Sequence, residues 1–435
     1  MAKIILEAKK AVILAGGRNR RMGALAPKAT LPVVNRPNVR RIMEKLHADG
    51  LTDFFVNSHY GWVLDVAREG KNPSDRYIHT YLESSPIGTA TTTKYLVRGM
   101  SFPQDEPFLV VGADISHPTM NFRKFARAFE AARDEYRRIV GAVAFVLRPY
   151  DEVIDRYPVA IIDGNNLIQR FVERPKTPQE ALKIFKQIKA RAVREAAERL
   201  GVPCLPVNAS NYALLRQIYN LVPEPRDVNV DYGKHLFKRM PPGRMFAHFI
   251  VESVRRGQSR VKKEWIDMAT PSDFWLANWL FIKTAPRKIQ GSYDHTHNLR
   301  QGKNVSIHPD ALVEDSILGE NIKIGPGSVI SHCVIGGNSL ISGVNLSRSI
   351  VFKNTHLSVS KATIEDSIIG GHLPLFLEGD LGFSQVSRKL VAYLPSGEIL
   401  IQDLDIKPGE SELAVDCFKK MRLPPKPLEA LEGKE

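Results

Sequence analysis

The loop at residues 15–23 and the lysine that follows it have the composition of a polyphosphate-binding site. The loop reads Ala-Gly-Gly-Arg-Asn-Arg-Arg-Met-Gly, and Pro27 and Lys28 come shortly after it. A tight turn of this kind exposes backbone N–H groups and allows the backbone to approach a ligand closely. The arginines and the lysine add the fixed positive charge that phosphate groups require. We therefore expect the loop to bind a nucleotide or another phosphorylated small molecule.

The net charge of the chain also favours anionic ligands. Its 435 residues include 61 Lys and Arg against 47 Asp and Glu, which gives a net charge of +14. The basic residues are spread along the chain, without a zinc finger, an RNA-recognition signature or a basic zipper. We therefore expect phosphate-bearing small molecules as ligands, and no nucleic-acid partner.

The composition indicates a globular protein of a reducing compartment. Hydrophobic residues make up 43 % of the chain, and no apolar run approaches the roughly 18 to 20 residues of a membrane-spanning helix. The cysteines, Cys204, Cys333 and Cys417, lack the spacing of metal ligands and predict neither disulfides nor a zinc site. The charged first residues lead straight into an apolar strand, so we expect no signal peptide, no membrane partner and a cytoplasmic location.

The elements around the loop alternate between strand and helix. The apolar segment at 11–16 ends at the Gly-Gly turn and predicts a buried parallel strand. Further strands are predicted near 54–57, 108–111 and 139–147, and helices near 36–49, 86–99 and 121–136. This alternation predicts an α/β domain of Rossmann-like type with a mixed, mostly parallel sheet. Ligands bind such sheets at the carboxyl ends of the strands, which is where the loop lies.

The pattern changes after about residue 304. Aliphatic residues recur there at intervals near six up to about Gly371, with Gly, Asn and Ser between them. This period indicates a parallel β-helix of three to four coils at roughly 18 residues per coil, and it fits an antiparallel sandwich less well. The segment after 373 carries the signal of a β-hairpin, and a long basic helix is predicted over 182–200.

Motifs along almost the whole chain resemble those of the sugar-1-phosphate nucleotidyltransferases. Some are similar to mannose-1-phosphate guanylyltransferases and others to glucose-1-phosphate adenylyltransferases. The motifs that carry the resemblance are Leu14-Ala-Gly-Gly, Arg21-Met22, Pro27-Lys28, Leu31-Pro-Val-Val-Asn-Arg-Pro, Val56-Asn-Ser-His-Tyr, Pro86-Ile-Gly-Thr-Ala, Phe171-Val-Glu-Arg-Pro, Val207-Asn-Ala-Ser, Asp231-Tyr-Gly-Lys and Trp265-Ile-Asp-Met-Ala-Thr-Pro.

The resemblance implies a domain organisation and a reaction. It implies a nucleotidyltransferase domain over 1–290 with a basic helical insertion at about 176–200, then a left-handed β-helix of hexapeptide repeats over 304–372, and a C-terminal hairpin and tail over 373–435. The implied reaction joins an NTP and a hexose-1-phosphate, mannose or glucose, to give an NDP-hexose and pyrophosphate by Mg²⁺-assisted in-line attack. It leaves the base open. Relatives with a β-helix also imply a homodimer or homotetramer assembled through it.

The resemblance assigns roles to individual residues. Arg21, Lys28 and Asp114 match catalytic positions, and Asp114 and Asp267 match the two Mg²⁺ ligands. The positions that match nucleotide-binding residues are Leu14, Ala15, Gly16, Gly17, Arg18, Asn19, Gly88 and Thr89. The positions that match sugar-phosphate-binding residues are Glu173, Arg174 and Asn208.

Several glycines of the family are replaced in this chain, and the replacements leave more than one function open. The replacing residues are Asn19, Ala113, Pro158, Ser210 and Ala269. An active transferase is the first interpretation. The alternative is a catalytically degenerate relative that senses a nucleotide or a sugar phosphate, or that regulates another subunit. A third is a bifunctional protein in which a β-helix histidine, His308, His332 or His356, supports acyl transfer.

Overall fold

The chain folds into two compact units. The computed structural model describes residues 9–17, 20–25, 27–69, 78–100, 102–222, 229–250, 265–286, 289–379, 385–394, 396, 398–407 and 410–419. The first unit contains residues 1–18, 27–30 and 37–265, and the second contains 19–26, 31–36 and 266–435. The last of these boundaries lies between Trp265 and Ile266. The domain bounds given from the resemblance stay predictions.

Strands and helices alternate through the first half of the chain, as the sequence predicts. The strands up to residue 267 are β1 (Lys10–Leu14), β2 (Pro32–Val33), β3 (Arg36–Pro37), β4 (Asp53–Ser58), β5 (Ile78–Leu82), β6 (Phe108–Gly112), β7 (Ile115–Ser116), β8 (Gly141–Pro149), β9 (Val159–Ile162), β10 (Ile168–Val172), β11 (Cys204–Leu214), β12 (Met245–Ile250) and β13 (Ile266–Asp267). The α-helices are α1 (Asn38–Ala48), α2 (Gly61–Arg68), α3 (Thr89–Gly99), α4 (Phe122–Glu135), α5 (Tyr150–Val153), α6 (Pro178–Gln187), α7 (Arg191–Leu200), α8 (Pro271–Thr284) and α9 (Glu410–Lys419).

The first unit is built on one mixed sheet. Its strand order is β10-β9-β11-β6-β1-β4-β5, and β8 joins β11 to β12. β1 pairs in parallel with β4 and β6, and β4 pairs in parallel with β5. The other half is mainly antiparallel, since β11 runs against β6, β8 and β9. Apolar side chains cover the parallel strands on both faces, as in Rossmann-like folds. The predicted fold class is confirmed for this unit.

The predicted long basic helix is two shorter helices, α6 and α7. The break lies at 188–190, where Ile188 and Ala190 adopt extended ψ angles of 127° and 124°. Arg194 of α7 explains the break. Its guanidinium donates to the carbonyls of Phe185 and Lys186 near the end of α6 and to that of Ile188, and it stacks 4.6 Å from the Phe185 ring. One of the basic residues thus closes the helix before it.

The second unit begins with a buried helix. Helix α8 starts with a capping box in which Thr270 and Asp273 each bond the other's backbone N–H. It carries Trp275 and Trp279, both fully buried. The Trp275 indole N–H donates to the carbonyl oxygen of Arg348 at 3.0 Å, which ties α8 to the strands that follow.

Those strands form a parallel β-helix. The strands after residue 290 are β14 (Ser292–Asp294), β15 (Leu299–Gln301), β16 (Val305–Ile307), β17 (Leu312–Glu314), β18 (Ser316–Leu318), β19 (Ile322–Ile324), β20 (Val329–Ser331), β21 (Val334–Ile335), β22 (Leu340–Ser347), β23 (Ile350–Val351), β24 (Thr355–Glu365), β25 (Ile368–Ile369), β26 (Leu375–Gly379), β27 (Gln385–Ser387), β28 (Lys389–Tyr393) and β29 (Ile399–Asp403). They stack in parallel ladders around an aliphatic core.

The β-helix is longer than the sequence predicted. One ladder runs β15-β18-β21-β23-β25-β28, so the stacking continues past residue 372. Strand β28 also pairs antiparallel with β29, which is the predicted hairpin. Strand β28 therefore belongs both to the hairpin and to the last rung of the β-helix, and the sequence indicated only the hairpin. The left-handed sense of the coil stays a prediction.

An asparagine ladder lines one corner of the β-helix. The amide of Asn304 donates to Asn321, that of Asn321 to Asn338, and that of Asn338 to Asn354, at 2.9, 2.9 and 3.2 Å. All four have positive φ, between 55° and 59°. Asparagine tolerates this conformation better than most residues with a side chain, so the recurring asparagines turn the corner.

Candidate active site

The Gly-Gly loop leaves the centre of the sheet between two neighbouring strands. The N–H of Ala15 donates to the carbonyl of Asn57 at 3.1 Å, and the Ser58 hydroxyl donates to the carbonyl of Ala15 at 3.2 Å. On the other side, the N–H of Ala113 donates to the carbonyl of Leu14 at 2.9 Å. The start of the loop is thus held at the carboxyl ends of β1, β4 and β6. This is the edge at which the sequence predicted a ligand site.

Gly16 lies against the ends of two buried side chains. A Cβ atom there would lie 2.7 Å from Oε2 of Glu83 and 2.8 Å from Nδ2 of Asn57. Glu83 is buried at the end of β5, and its other oxygen accepts from the Asn57 amide at 3.0 Å and from the Thr92 hydroxyl. Burial raises the pKa of the Glu83 carboxyl above its ordinary value, although these hydrogen bonds oppose the shift. Sequence reasoning missed this carboxyl beside the loop.

Lys28 and Asp114, two positions for which the sequence predicts a catalytic role, lie close together. The Lys28 ammonium lies 3.6 Å from Oδ2 of Asp114. The lysine side chain is 7 % exposed, whereas the aspartate side chain is 45 % exposed. A buried ammonium therefore stands behind a carboxylate that solvent can reach. The pair combines a fixed positive charge with oxygen ligands at the mouth of the loop.

Asn38 fixes the turn that carries Asp114. Its amide donates to the carbonyls of Ala113 at 2.8 Å and Ile115 at 3.0 Å. Asn38 is buried at the first position of α1. Sequence reasoning did not select it, because an asparagine at a helix start reads as a local capping residue. Ala113, one of the glycine replacements, is fully buried beside it.

Gly88 and Thr89 pack against the Asp231-Tyr-Gly-Lys motif. Gly88 has φ 92°, and a Cβ atom there would lie 2.6 Å from the backbone nitrogen of Val230. The N–H of Thr89 donates to Oδ1 of Asp231 at 3.1 Å, and the Thr89 hydroxyl accepts from the N–H of Tyr232 at 3.2 Å. Two motifs that lie 142 residues apart in the sequence, from Thr89 to Asp231, are thus in direct contact in the first unit.

Glu173 and Arg174 lie in a cluster of cations. The Glu173 carboxylate pairs with the Lys238 ammonium at 2.5 Å. Lys238, and then Arg174 and Lys234, hold the pKa of Glu173 below its ordinary value. The ring of Phe237 stacks 4.8 Å from Phe171 and brings this turn onto β10. Lys238 was not predicted, because the ion pair joins residues that are distant in sequence.

Asn208 belongs to a bulge in β11. The register between β11 and β8 shifts between Asn208 and Tyr212. The side-chain oxygen Oδ1 of Asn208 accepts from the N–H of Ser210 at 2.8 Å, and the side-chain Nδ2 of Asn208 donates to the Tyr212 hydroxyl at 3.3 Å. Ser210, which replaces a family glycine, has φ 54° and keeps the glycine-like conformation. Pro158, another replacement, is partly buried just before β9.

Four predicted site residues are not among the described residues of the first unit. Arg21 lies in the 3₁₀ turn Arg20–Leu25 and Asp267 in β13, both in the second unit. Arg18 and Asn19 lie outside the described residues. Their roles stay predictions.

The described residues of the first unit fit a magnesium ion that is shared between a carboxylate and substrate phosphates. Within the described part of the chain, no group of three or more His, Cys, Asp or Glu side chains is arranged to hold a metal. Mg²⁺ shared with substrate phosphates needs one or two protein carboxylates and keeps several waters. The half-exposed Asp114 carboxylate fits this mode of binding.

The geometry can be compared with known proteins. Residues 11–145 match the MobA-like NTP transferase domain. The mannose-1-phosphate guanyltransferase of Candida albicans is 25 % identical over 318 residues, which cover 70 % of this chain and 73 % of that protein. The one of Aspergillus fumigatus is 32 % identical over 176 residues, 38 % of this chain and 45 % of that protein. By these comparisons the chain is similar to sugar-1-phosphate nucleotidyltransferases.

The matched domain covers the residues for which the sequence predicts nucleotide binding, apart from those outside 11–145. It includes Gly16, Lys28, Gly88 and Asp114, whereas the predicted sugar-phosphate positions lie beyond residue 145. The mannose-1-phosphate guanyltransferase of Hypocrea jecorina is 25 % identical over 316 residues, 70 % of this chain and 73 % of that protein. The solved structure of HddC from Yersinia pseudotuberculosis aligns at 18 % identity and a TM-score of 0.43, over 63 % of this chain and 99 % of that chain. That alignment is too distant to add to the fold described above.

The helices of the described residues were also compared with the length and hydropathy of a membrane-spanning helix. None of their helices is both long and apolar enough to cross a bilayer.

Proposed function

We propose that the protein transfers the guanylyl group of GTP to mannose 1-phosphate, giving GDP-mannose and pyrophosphate. The observation that carries the proposal is the Lys28–Asp114 pair, 3.6 Å apart beside the Gly-Gly loop. The relatives named mannose-1-phosphate guanyltransferase favour mannose over glucose and guanine over other bases.

The reaction needs alignment and charge neutralisation rather than a covalent intermediate. A phosphate oxygen of the sugar phosphate attacks the α-phosphorus of GTP, and the bond to the β-phosphate oxygen breaks as pyrophosphate leaves. Lys28 is suited to neutralise charge on the transferring phosphate, because its ammonium is buried and already fixed. Asp114, with Asp267 as the predicted second ligand, would hold Mg²⁺, which supplies charge neutralisation when it is bound.

The rest of the site would bind the two substrates. Backbone N–H groups of the Gly-Gly loop are available to the triphosphate, and the segment around Gly88 is proposed to face the base. The cations around Glu173 and the amide of Asn208 lie on the antiparallel side of the sheet and are proposed to bind the sugar phosphate. Arg174 keeps a positive charge there but presents a planar fork.

Two further properties are proposed from the family resemblance. We expect a homodimer or homotetramer assembled through the β-helix, and a cytoplasmic location. Light scattering on the full-length protein checks the first, and a monomer at micromolar concentration would contradict it.

The test is pyrophosphate release with Mg²⁺ across a panel of nucleotides and sugars. GTP, ATP, UTP, CTP and dTTP are each combined with mannose, glucose and N-acetylglucosamine 1-phosphates. We expect release with GTP and mannose 1-phosphate, and its loss in Asp114→Asn. Asp65→Asn, whose side chain is 68 % exposed on α2, is the matched control and should keep full activity.

The other outcomes each have a meaning. Release with another pair would retain the reaction class and correct the substrates. Release that survives Asp114→Asn would contradict the assigned site. No pyrophosphate release with any pair, from protein shown to be folded, would contradict the proposed enzymatic activity and favour the non-catalytic alternative.

A further inference from the structure

The turn that carries Arg21 is anchored in the core of the second unit. The Arg20–Leu25 turn belongs to that unit, and Met22 and Leu25 are fully buried in its hydrophobic core. Arg21 is exposed. Gly23 has φ 53° and ψ −125°, which kinks the turn between the two buried side chains. The turn is therefore held by its apolar residues and presents its arginine to solvent.

His372 of the β-helix bonds the end of this turn. It follows β25, and its Nε2 lies 3.1 Å from the carbonyl oxygen of Leu25. A carbonyl oxygen only accepts hydrogen bonds, so the Nε2 atom is the donor and carries a proton. The imidazole also packs edge-on against the buried ring of Phe352, with 6.2 Å between the ring centroids. A side chain of the β-helix thus fixes the backbone of the turn.

The bond to Leu25 is made by a neutral imidazole. Burial, and to a smaller extent the charge of Lys353, lowers the pKa of His372 below its ordinary value. The ring is therefore uncharged at neutral pH and has a single N–H, which the Leu25 carbonyl accepts. The turn is held without a further positive charge beside it.

The next segment of the second unit, residues 31–36, is anchored in a similar way. The N–H of Val34 donates to Oδ1 of Asn278 at 2.6 Å, and the Asn35 amide donates to the carbonyl of Ile335 at 2.8 Å. Val34 has φ 48°, which is rare for a β-branched residue, so the turn depends on its surroundings. Specific side-chain bonds therefore hold both N-terminal segments of this unit, and the bond from His372 to Leu25 is one of them.

We propose that His372 is a positioning residue, whose bond to Leu25 holds the turn so that the Arg21 guanidinium is oriented to neutralise phosphate charge during transfer. The inference rests on the proposed function and on the catalytic role that the resemblance implies for Arg21. A displacement of about 1 Å in a group that aligns or neutralises a reacting phosphate can cost on the order of a hundredfold in rate. The β-helix then contributes to the reaction through one histidine.

Three variants of histidines and two of the arginine test this assignment. His372→Ala removes the donor, whereas His372→Gln keeps an N–H at about the reach of Nε2. His297→Ala is the matched control in the same unit, since its side chain is 53 % exposed and pairs only locally, with Asp294 at 2.7 Å. Arg21→Ala is made alone and together with His372→Ala. Thermal melts establish that every variant is folded at the assay temperature.

The readout is kcat for GDP-mannose formation from GTP and mannose 1-phosphate. We expect kcat to fall about tenfold in His372→Ala and about a hundredfold in Arg21→Ala. His372→Gln should stay within about twofold of the wild type, and His297→Ala should match it. The double variant should be no slower than Arg21→Ala alone, because a residue that acts only through Arg21 has no further effect once the arginine is absent.

The possible failures are distinguishable. If the wild-type protein forms GDP-mannose and His372→Ala keeps its kcat, only this inference is wrong. Losses that multiply in the double variant would show that His372 acts independently of Arg21, and an equal loss in His372→Gln would show that the N–H is not what matters; either result would overturn it. Wild-type kcat in Arg21→Ala would overturn it through the arginine. A wild-type protein that neither reacts with GTP nor binds it by calorimetry would overturn the proposed function, and this inference with it.

Discussion

The two units of the chain use left-handed backbone in opposite ways. In the β-helix, positive φ recurs at corners where Asn304, Asn321, Asn338 and Asn354 satisfy one another. In the first unit, Gly88 and Ser210 take up the same conformation in segments that line the proposed site. The four asparagines repeat one corner with identical neighbours, whereas Gly88 and Ser210 are single positions with unlike neighbours.

One set of charged groups in each unit gives a second comparison. Arg348 in the β-helix bonds the carboxylate of Asp366 at 2.8 Å and that of Glu365 at 3.3 Å, and Asp366 is nearly buried. Asp114 in the first unit stands 3.6 Å from its lysine and remains 45 % exposed. The β-helix pair is closed, while the pair beside the loop keeps oxygen atoms available to a ligand.

The largest expected effect tests whether the open pair is functional. Lys28→Met removes the ammonium and retains the apolar stem, so the transferring phosphate loses a fixed positive charge. We expect the rate of GDP-mannose formation to fall by about a hundredfold to a thousandfold. Steady-state pyrophosphate release is the measurement.

The matched control for this variant is Lys124→Met, on an exposed position of α4. It should keep the wild-type rate. Equal activity in both variants would show that the Lys28–Asp114 pair is not needed for the reaction. The functional difference from the Arg348 ion pairs of the β-helix would then be wrong.

The second effect tests a single strained position. Gly88→Ala places a methyl group 2.6 Å from the backbone of Val230 and imposes φ 92° on an alanine. Backbone atoms cannot give way as side chains do, so we expect a loss of roughly 2–3 kcal/mol in the free energy of unfolding. Urea denaturation measures it. Gly61→Ala, with open space around its Cβ, should change little, and a similar loss there would contradict the argument.

The sequence predicted the parts of the fold that repeat. Strand–helix alternation identified the α/β unit, and the near-six period identified the β-helix, because both depend on local patterns of apolar residues. The break between α6 and α7 was missed, since it depends on one arginine reaching back to carbonyls of the preceding helix. The rung at β28 was missed because its strand also fits a hairpin.

Motifs predicted the site where its residues follow a strand directly. Gly16 and Asp114 were selected in this way and Gly88 from its motif; the structure gives each close neighbours, and their roles stay predictions. Asn38, Glu83 and Lys238 were missed because their importance arises from partners that only the fold brings near. The strain at Ser210 was visible in the sequence only as a missing glycine.

The third effect tests the scaffold side of the comparison. Asn338→Ala removes two rungs of the asparagine ladder and leaves an alanine at φ 55°. We expect the β-helix to lose about 1–2 kcal/mol of stability in guanidinium denaturation. The activity of folded protein should not change. Asn345→Ala, an exposed β22 asparagine outside the ladder, is the control; an equal loss there would show that the corner conformation is unimportant.

The smallest effect concerns Glu83, the buried carboxyl beside the loop. Because burial raises its pKa in the folded state, its ionisation disfavours folding, and wild-type stability falls as the pH rises through that pKa. Glu83→Gln cannot ionise but can still accept the bonds from Asn57 and Thr92. The variant should therefore match the wild type near pH 4 and exceed it in thermal stability at pH 8. A variant that is less stable than the wild type at pH 8 would show that the ionised Glu83 carboxylate stabilises the fold. Glu83 would then resemble the paired carboxylates of the β-helix.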